Sequence, residues 1–245
     1  MDKRNADKLL EKTKNNYDAF ADSFSQTRDY IPAQMGRLLV GRVMEGDAVL
    51  DVGCGNGRYY PLLAKKGARY RGIDISGKLV DIAKHKFPQG DFSVADALFL
   101  PFKNNEFDVF FSVAVLHHIP SQGYRKRFFQ EAYRVLKPGG VLFVMVWDLR
   151  LRSMVRVKNW KRLKNFLSSQ ARAAAQIEKL DPRDFFIPWQ KEYKRYVHSF
   201  RPEELKKLAQ ECGFSIEVGD VLKAGTREGN LYIIAKKCEK DKGIK

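Results

Sequence analysis

The chain has three cysteines in 245 residues, Cys54, Cys212 and Cys238, and no CxxC pair. An odd number of widely spaced thiols argues against a disulfide framework or a structural zinc cluster and fits a reducing compartment. Long apolar runs are missing too. No stretch approaches the length of a membrane span, and the opening MDKRNADKLLEKTKNN lacks the apolar core of a signal peptide. The expectation is a cytoplasmic protein with no membrane partner and no metal. There is no internal repeat, and 245 residues suit one large α/β domain better than two. Acidic side chains are scarce beside basic ones, 29 against 45, which leaves a formal charge of +16.

What is present is concentrated in one run, AVLDVGCGNGRYY, Ala48 to Tyr60. Strand-favouring residues lead into Asp51 and then into glycines at alternate positions, Gly53, Gly55 and Gly57. This reads as a strand entering a tight turn whose backbone lies close to a ligand. A dinucleotide loop of the form GxGxxG would need glycine where Arg58 stands, so the NAD reading weakens. A carboxylate at Asp51, taken as aimed into the pocket, suits a ligand with a positive ammonium and a positive sulfonium, S-adenosylmethionine. Downstream, YRGIDIS forms a second strand ending in Asp74, with Ile75 beside it, where an acid accepts from ribose hydroxyls.

Strands are expected at Ala48–Val52, Tyr70–Ile73, FSVAD, FDVFFSVAVL and VLFVMVW, alternating with helices, and a parallel sheet follows. Helices are also expected over Lys8–Phe24, Met35–Met44 and Gly123–Leu136, the last stopped by KPGG. Ligands in such sheets sit beyond the carboxyl ends of the strands. There, Asp96 and the backbone of Ala97 would meet adenine, and Ser112 with the pair His117 and His118 would complete the site. The rhythm breaks at about residues 148–193, expected as a basic, mostly helical insertion. Leu149 to Phe166 carries seven Lys or Arg and no acid, with Trp160 and Phe166 interleaved. WQKEYKRYVHSFRP repeats the mixture of basic and aromatic residues. Cations for phosphate and rings for stacking suit looped RNA, whereas a solvated basic helix face is the plainer alternative.

DVGCGNG, the Asp74 strand, VADALFLPFKNNEFDVFFSVAVLHHI and LKPGG together resemble the class I methyltransferases. FSQTR at Phe24–Arg28, AVLHH and RYVHSFRPEELKKL resemble more closely the tRNA wobble-uridine methyltransferases, which esterify a carboxymethyl group on carbon 5 of uridine 34. The resemblance implies an α/β, Rossmann-like seven-stranded sheet with helices on both faces, one domain over 1–245 with N-terminal helices in 1–45, and S-adenosylmethionine as cofactor. It implies as partners a tRNA anticodon loop and a small zinc-binding activator protein. A carboxylate acceptor needs no general base, only alignment and a cationic fork that pairs both oxygens. Arg28 is the candidate fork, with His117 positioning the acceptor and Arg195 and His198 sharing the duty. Arg28 as a structural residue closing the N-terminal helix is the competing reading. A small-molecule methyltransferase of the same fold and a non-catalytic cofactor-binding RNA assembly factor remain as alternatives.

Overall fold

The computed structural model describes residues 1–28, 30–149, 180–189, 192–222 and 229–238. Seven strands form one sheet: β1 (Ala48–Val52), β2 (Arg69–Asp74), β3 (Asp91–Val94), β4 (Phe107–Val113), β5 (Leu136–Trp147), β8 (Phe214–Leu222) and β9 (Asn230–Lys237). Their spatial order is β3-β2-β1-β4-β5-β9-β8. The first five are parallel, and β9 runs antiparallel between β5 and β8. A separate hairpin pairs β6 (Asp184–Trp189) with β7 (Tyr193–His198). The stretch 184–189, expected inside a mostly helical insertion, is therefore strand. The alternation Phe185, Ile187, Trp189 has period two, which suits a hairpin. Residues 150–179, where that helical region was expected, lie outside the described residues.

Burial on both faces explains the strand composition. In β1, Leu50 and Val52 enter a core with Phe110, Phe128 and Leu142. Val49 belongs to the opposite core, with Phe111, Phe143 and Ile234. Side chains alternate along a strand, so Asp51 shares the second face. Helices α1 (Lys3–Ala19), α2 (Ala21–Thr27), α3 (Ala33–Leu38), α4 (Tyr60–Ala64), α5 (Gly77–Lys86), α6 (Gln122–Val135) and α7 (Pro202–Glu211) accompany these strands. The single helix expected over Lys8–Phe24 is broken at Phe20, whose backbone (φ −109°, ψ 20°) leaves the helical region. The break turns α2 and its FSQTR segment over the carboxyl ends of the strands. No described helix is long and apolar enough to cross a membrane.

Candidate active site

A cavity of about 1620 Å³ opens at the carboxyl ends of β1–β5. Its walls include Gly53, Gly55, Asp74, Ile75, Asp96 and Ala97. Gly53 and Gly55 hold φ of +76° and +56°, the left-handed region where a side chain is strained. A Cβ on Gly53 would also lie 2.0 Å from Val115 Cγ2, so the loop packs directly on the segment after β4. That segment turns sharply: Ala114 has φ +64° while its N–H donates to Met145 O at 2.8 Å. Strain at a non-glycine residue is thus placed at the cavity wall, where Ala114 and Val115 stand.

Asp74 ends β2. One carboxylate oxygen accepts from Gly55 N–H and the other from Ser76 N–H, each at 2.9 Å. Burial nonetheless raises its pKa, against the lowering from those two amides. Asp96 accepts from Leu98 N–H through Oδ1 at 2.8 Å. Two acids at the ends of adjacent strands, above a glycine turn, fit the ribose and adenine of S-adenosylmethionine.

Three expected cofactor residues do not face the cavity. Asp51 is buried on the second core face, where Oδ2 accepts from Tyr70 O–H at 2.8 Å. Burial pushes its pKa up to about 7, against the hydrogen bond from Tyr70 and the charge of Arg58. Gly72, opposite Asp51 in the ladder, explains the reach: a Cβ there would fall 2.6 Å from the Tyr70 hydroxyl. Gly57 is a packing glycine, with Phe87 and Phe92 where its Cβ would be. Ser112 is buried and donates to Val52 O at 2.9 Å, tying β4 to β1.

The acceptor side is built from arginine and aromatic rings. Arg195, on β7, is almost fully buried and lines the cavity. Its guanidinium carbon lies 4.9 Å from the Trp147 ring centre and 4.6 Å from that of Trp189. Its Nε and Nη1 have no hydrogen-bond partner among the described residues. Arg28 is half-buried at the same cavity, 5.2 Å from Trp189 and 5.7 Å from Phe24, and donates to Thr27 O. Burial and the like charges of Arg195 and Arg58 lower its pKa. Arg58 also lines the cavity, stacked 4.7 Å over Tyr59.

The histidines separate. His117 is fully buried, does not line the cavity, and stacks 4.3 Å from Trp147, a backing role in place of the expected contact with the acceptor. Burial holds its pKa well below the usual histidine range, with the charges of Arg195 and neighbouring histidines adding to the effect. His118 is the one at the cavity. Its Nδ1 lies 2.7 Å from Tyr196 O and its Nε2 lies 2.8 Å from Tyr17 O–H. A carbonyl only accepts, so Nδ1 carries the proton and Nε2 accepts from Tyr17. Burial, aided by Arg195, pushes its pKa down to about 3. His198 is structural: buried between Asp184 Oδ1 at 2.6 Å and Glu204 Oε1 at 3.0 Å, it pins the hairpin to α7.

Tyr17, Arg58 and Trp147 were missed in the sequence. Trp147 had a signal, since it ends β5. Tyr17 had a misleading one, because Tyr17, Phe20 and Phe24 share the spacing of an ordinary core stripe.

Residues 50–144 match the family described as a methyltransferase domain. The chain is 30% identical to the tRNA (carboxymethyluridine(34)-5-O)-methyltransferase of Schizosaccharomyces pombe, over 90% of this chain and 94% of that one. An S-adenosylmethionine-dependent methyltransferase from Methanosarcina mazei superposes with a TM-score of 0.70 at 26% identity, covering 83% of this chain and 98% of its own. The structure of a methyltransferase in complex with the Haloferax volcanii Trm112 methyltransferase activator has a TM-score of 0.63 at 19% identity, covering 91% and 98%, a likeness of fold alone. With this sheet order, the acids at the ends of β2 and β3, and a relative matched over nearly its whole length, the chain belongs to the class I S-adenosylmethionine-dependent methyltransferases, in the family represented by the tRNA (carboxymethyluridine(34)-5-O)-methyltransferases.

Proposed function

We propose that the chain methylates the carboxylate of a 5-carboxymethyl group on the wobble uridine of a tRNA. The observation that carries this reading is Arg195. A buried guanidinium with two nitrogens unpaired among the described residues is costly unless an anion completes it. It stands at the cavity with Arg28 and Arg58, an excess of positive charge suited to an acceptor that is already an anion.

The cofactor supplies an electrophilic methyl group, and the chain's residues do the rest. Arg195 and Arg28 would hold the two carboxylate oxygens in line, and Trp147 with Trp189 would strip water from them. No side chain has to take a proton, because a carboxylate is ionised at neutral pH. His118 fits that logic: both ring nitrogens are engaged and its proton is fixed.

The reading extends to a partner. β3 is an edge strand of the sheet. Val94 at its end and Phe99 beyond it are 55% and 65% exposed. An open edge beside apolar side chains suits strand addition by a small activator, and the Haloferax volcanii methyltransferase, of the same fold, forms a complex with one. The basic composition supports tRNA over a small acid, since phosphate neutralisation gives it a use.

Incubation with methyl-labelled S-adenosylmethionine and total tRNA tests the reading. Label in tRNA that mild alkali releases is expected. Alkali-stable label would exclude the ester, label in a metabolite extract would support the small-molecule alternative, and cofactor binding without transfer would support an assembly factor.

A further inference from the structure

To act as the acceptor clamp, the long, charged side chain of Arg195 must be held in one place. The hold comes from the backbone on either side of it. Among the described residues, β7 pairs with β6 along one edge only. Along the other edge, the carbonyls of Lys194 and Tyr196, the two neighbours of Arg195, need donors from elsewhere. Asn16 Nδ2 donates to Lys194 O at 2.9 Å. His118 Nδ1 donates to Tyr196 O at 2.7 Å, and Tyr17 O–H donates to His118 Nε2 at 2.8 Å. Arg195 is thus bracketed by two side-chain bonds, and both lead to adjacent residues on the last turn of α1. The proton positions follow from the acceptor at one end, so the chain from Tyr17 to Tyr196 has one direction only.

We propose that Asn16, Tyr17 and His118 are positioning residues for Arg195: they lock β7 to α1 and so fix the guanidinium between Trp147 and Trp189. Tyr17 gives its only proton to His118, so any further contact of its hydroxyl is as an acceptor. Tyr17 and Arg195 both line the cavity, and burial raises the Tyr17 pKa against the opposing positive charge of Arg195. None of the three residues transfers a proton in the reaction. This inference rests on the proposed carboxylate acceptor, because the property it explains is the preference for an anion.

The test measures that preference. The KM of tRNA carrying a carboxymethyl wobble uridine is compared with the inhibition constant of the same tRNA carrying the uncharged carboxamide. Tyr17→Phe and His118→Asn should each reduce the preference about tenfold, the scale of one hydrogen bond, while the Kd for S-adenosylmethionine is unchanged. Asn16→Ala, a smaller change at the surface, carries the same expectation should either of the others fail to fold. If these residues act through Arg195, adding Tyr17→Phe to Arg195→Met should not lower the preference further. Variants that lose melting temperature but keep the wild-type preference would overturn the positioning role and leave the function standing. Wild-type protein that transfers no methyl to the carboxymethyl tRNA would overturn the functional reading and this inference with it.

Discussion

Replacing Arg195 by methionine separates what the residue does for the fold from what it does for the reaction. Each buried N–H without an acceptor costs roughly 1–3 kcal/mol, and among the described residues Arg195 has two such nitrogens, Nε and Nη1. Against this stand its contacts with Trp147 and Trp189, at 4.9 and 4.6 Å. Each is worth roughly 0.5–2 kcal/mol. The two sums are similar, and methionine fills much of the same space against the indoles. Arg195→Met should therefore leave the free protein as stable as wild type or slightly more so. Turnover should respond differently. Removing one partner of a buried charge pair costs about 2–5 kcal/mol, or about 30- to 4,000-fold in kcat/KM. Thermal unfolding without acceptor and steady-state transfer to tRNA are the two assays. An unfolded variant, or a kcat/KM within about threefold of wild type, would refute the reasoning.

Four further outcomes are expected. Asp74→Ala should weaken S-adenosylmethionine binding by about 1–3 kcal/mol in calorimetry, the scale of hydrogen bonds to a charged group; unchanged affinity would remove Asp74 from the site. Arg28→Ala should spare cofactor binding while transfer falls, whereas equal loss of both would mark Arg28 as structural. Gly53→Ala should cost cofactor binding or folding, because of φ +76° and the Val115 methyl 2.0 Å from the new Cβ, and Val115→Ala should restore part of the loss. For pH, Asp51 and His118 oppose each other. The raised pKa of Asp51, about 7 against an ordinary 3.8, gives stability that is full below 3.8 and lost as pH rises through 7. The depressed pKa of His118, about 3 against 6.5, gives stability that is full above 6.5 and lost as pH falls through 3. Asp51→Asn leaves only the second, so its stability relative to wild type should fall by about 1.4 kcal/mol per unit on acidification from about pH 6.5 to 4. Parallel denaturation profiles would contradict this.

The sheet was legible because its strands are written as apolar runs punctuated by glycine: β1 was bounded to the residue, and β2, β4 and α6 to within a few. The side of the strand was harder. Asp51 and Ser112 lie near the ends of β1 and β4, where ligand contacts were expected, yet each turns into the interior. Asp51 follows Leu50 and precedes Val52, both in the opposite core, and that alternation was a signal that the motif outweighed. His117 and His118 share one 3₁₀ turn, whose rotation sends one behind the wall and one into it. Arg195, although named from RYVHSF, acquires its meaning from Trp147 and Trp189 in other strands. Contacts of that separation leave no local pattern. The reverse error arose at His198, where a polar residue in a promising motif is held by Asp184 and Glu204 within the fold.

The most direct measurement is nucleoside mass spectrometry of tRNA bearing 5-carboxymethyluridine at the wobble position, after incubation with the pure protein and S-adenosylmethionine. A parallel reaction includes the proposed small zinc-binding activator protein. The expected product is the methyl ester at that nucleoside, lost again in mild alkali. An unchanged wobble nucleoside with methyl found on another base, or on none, would contradict it.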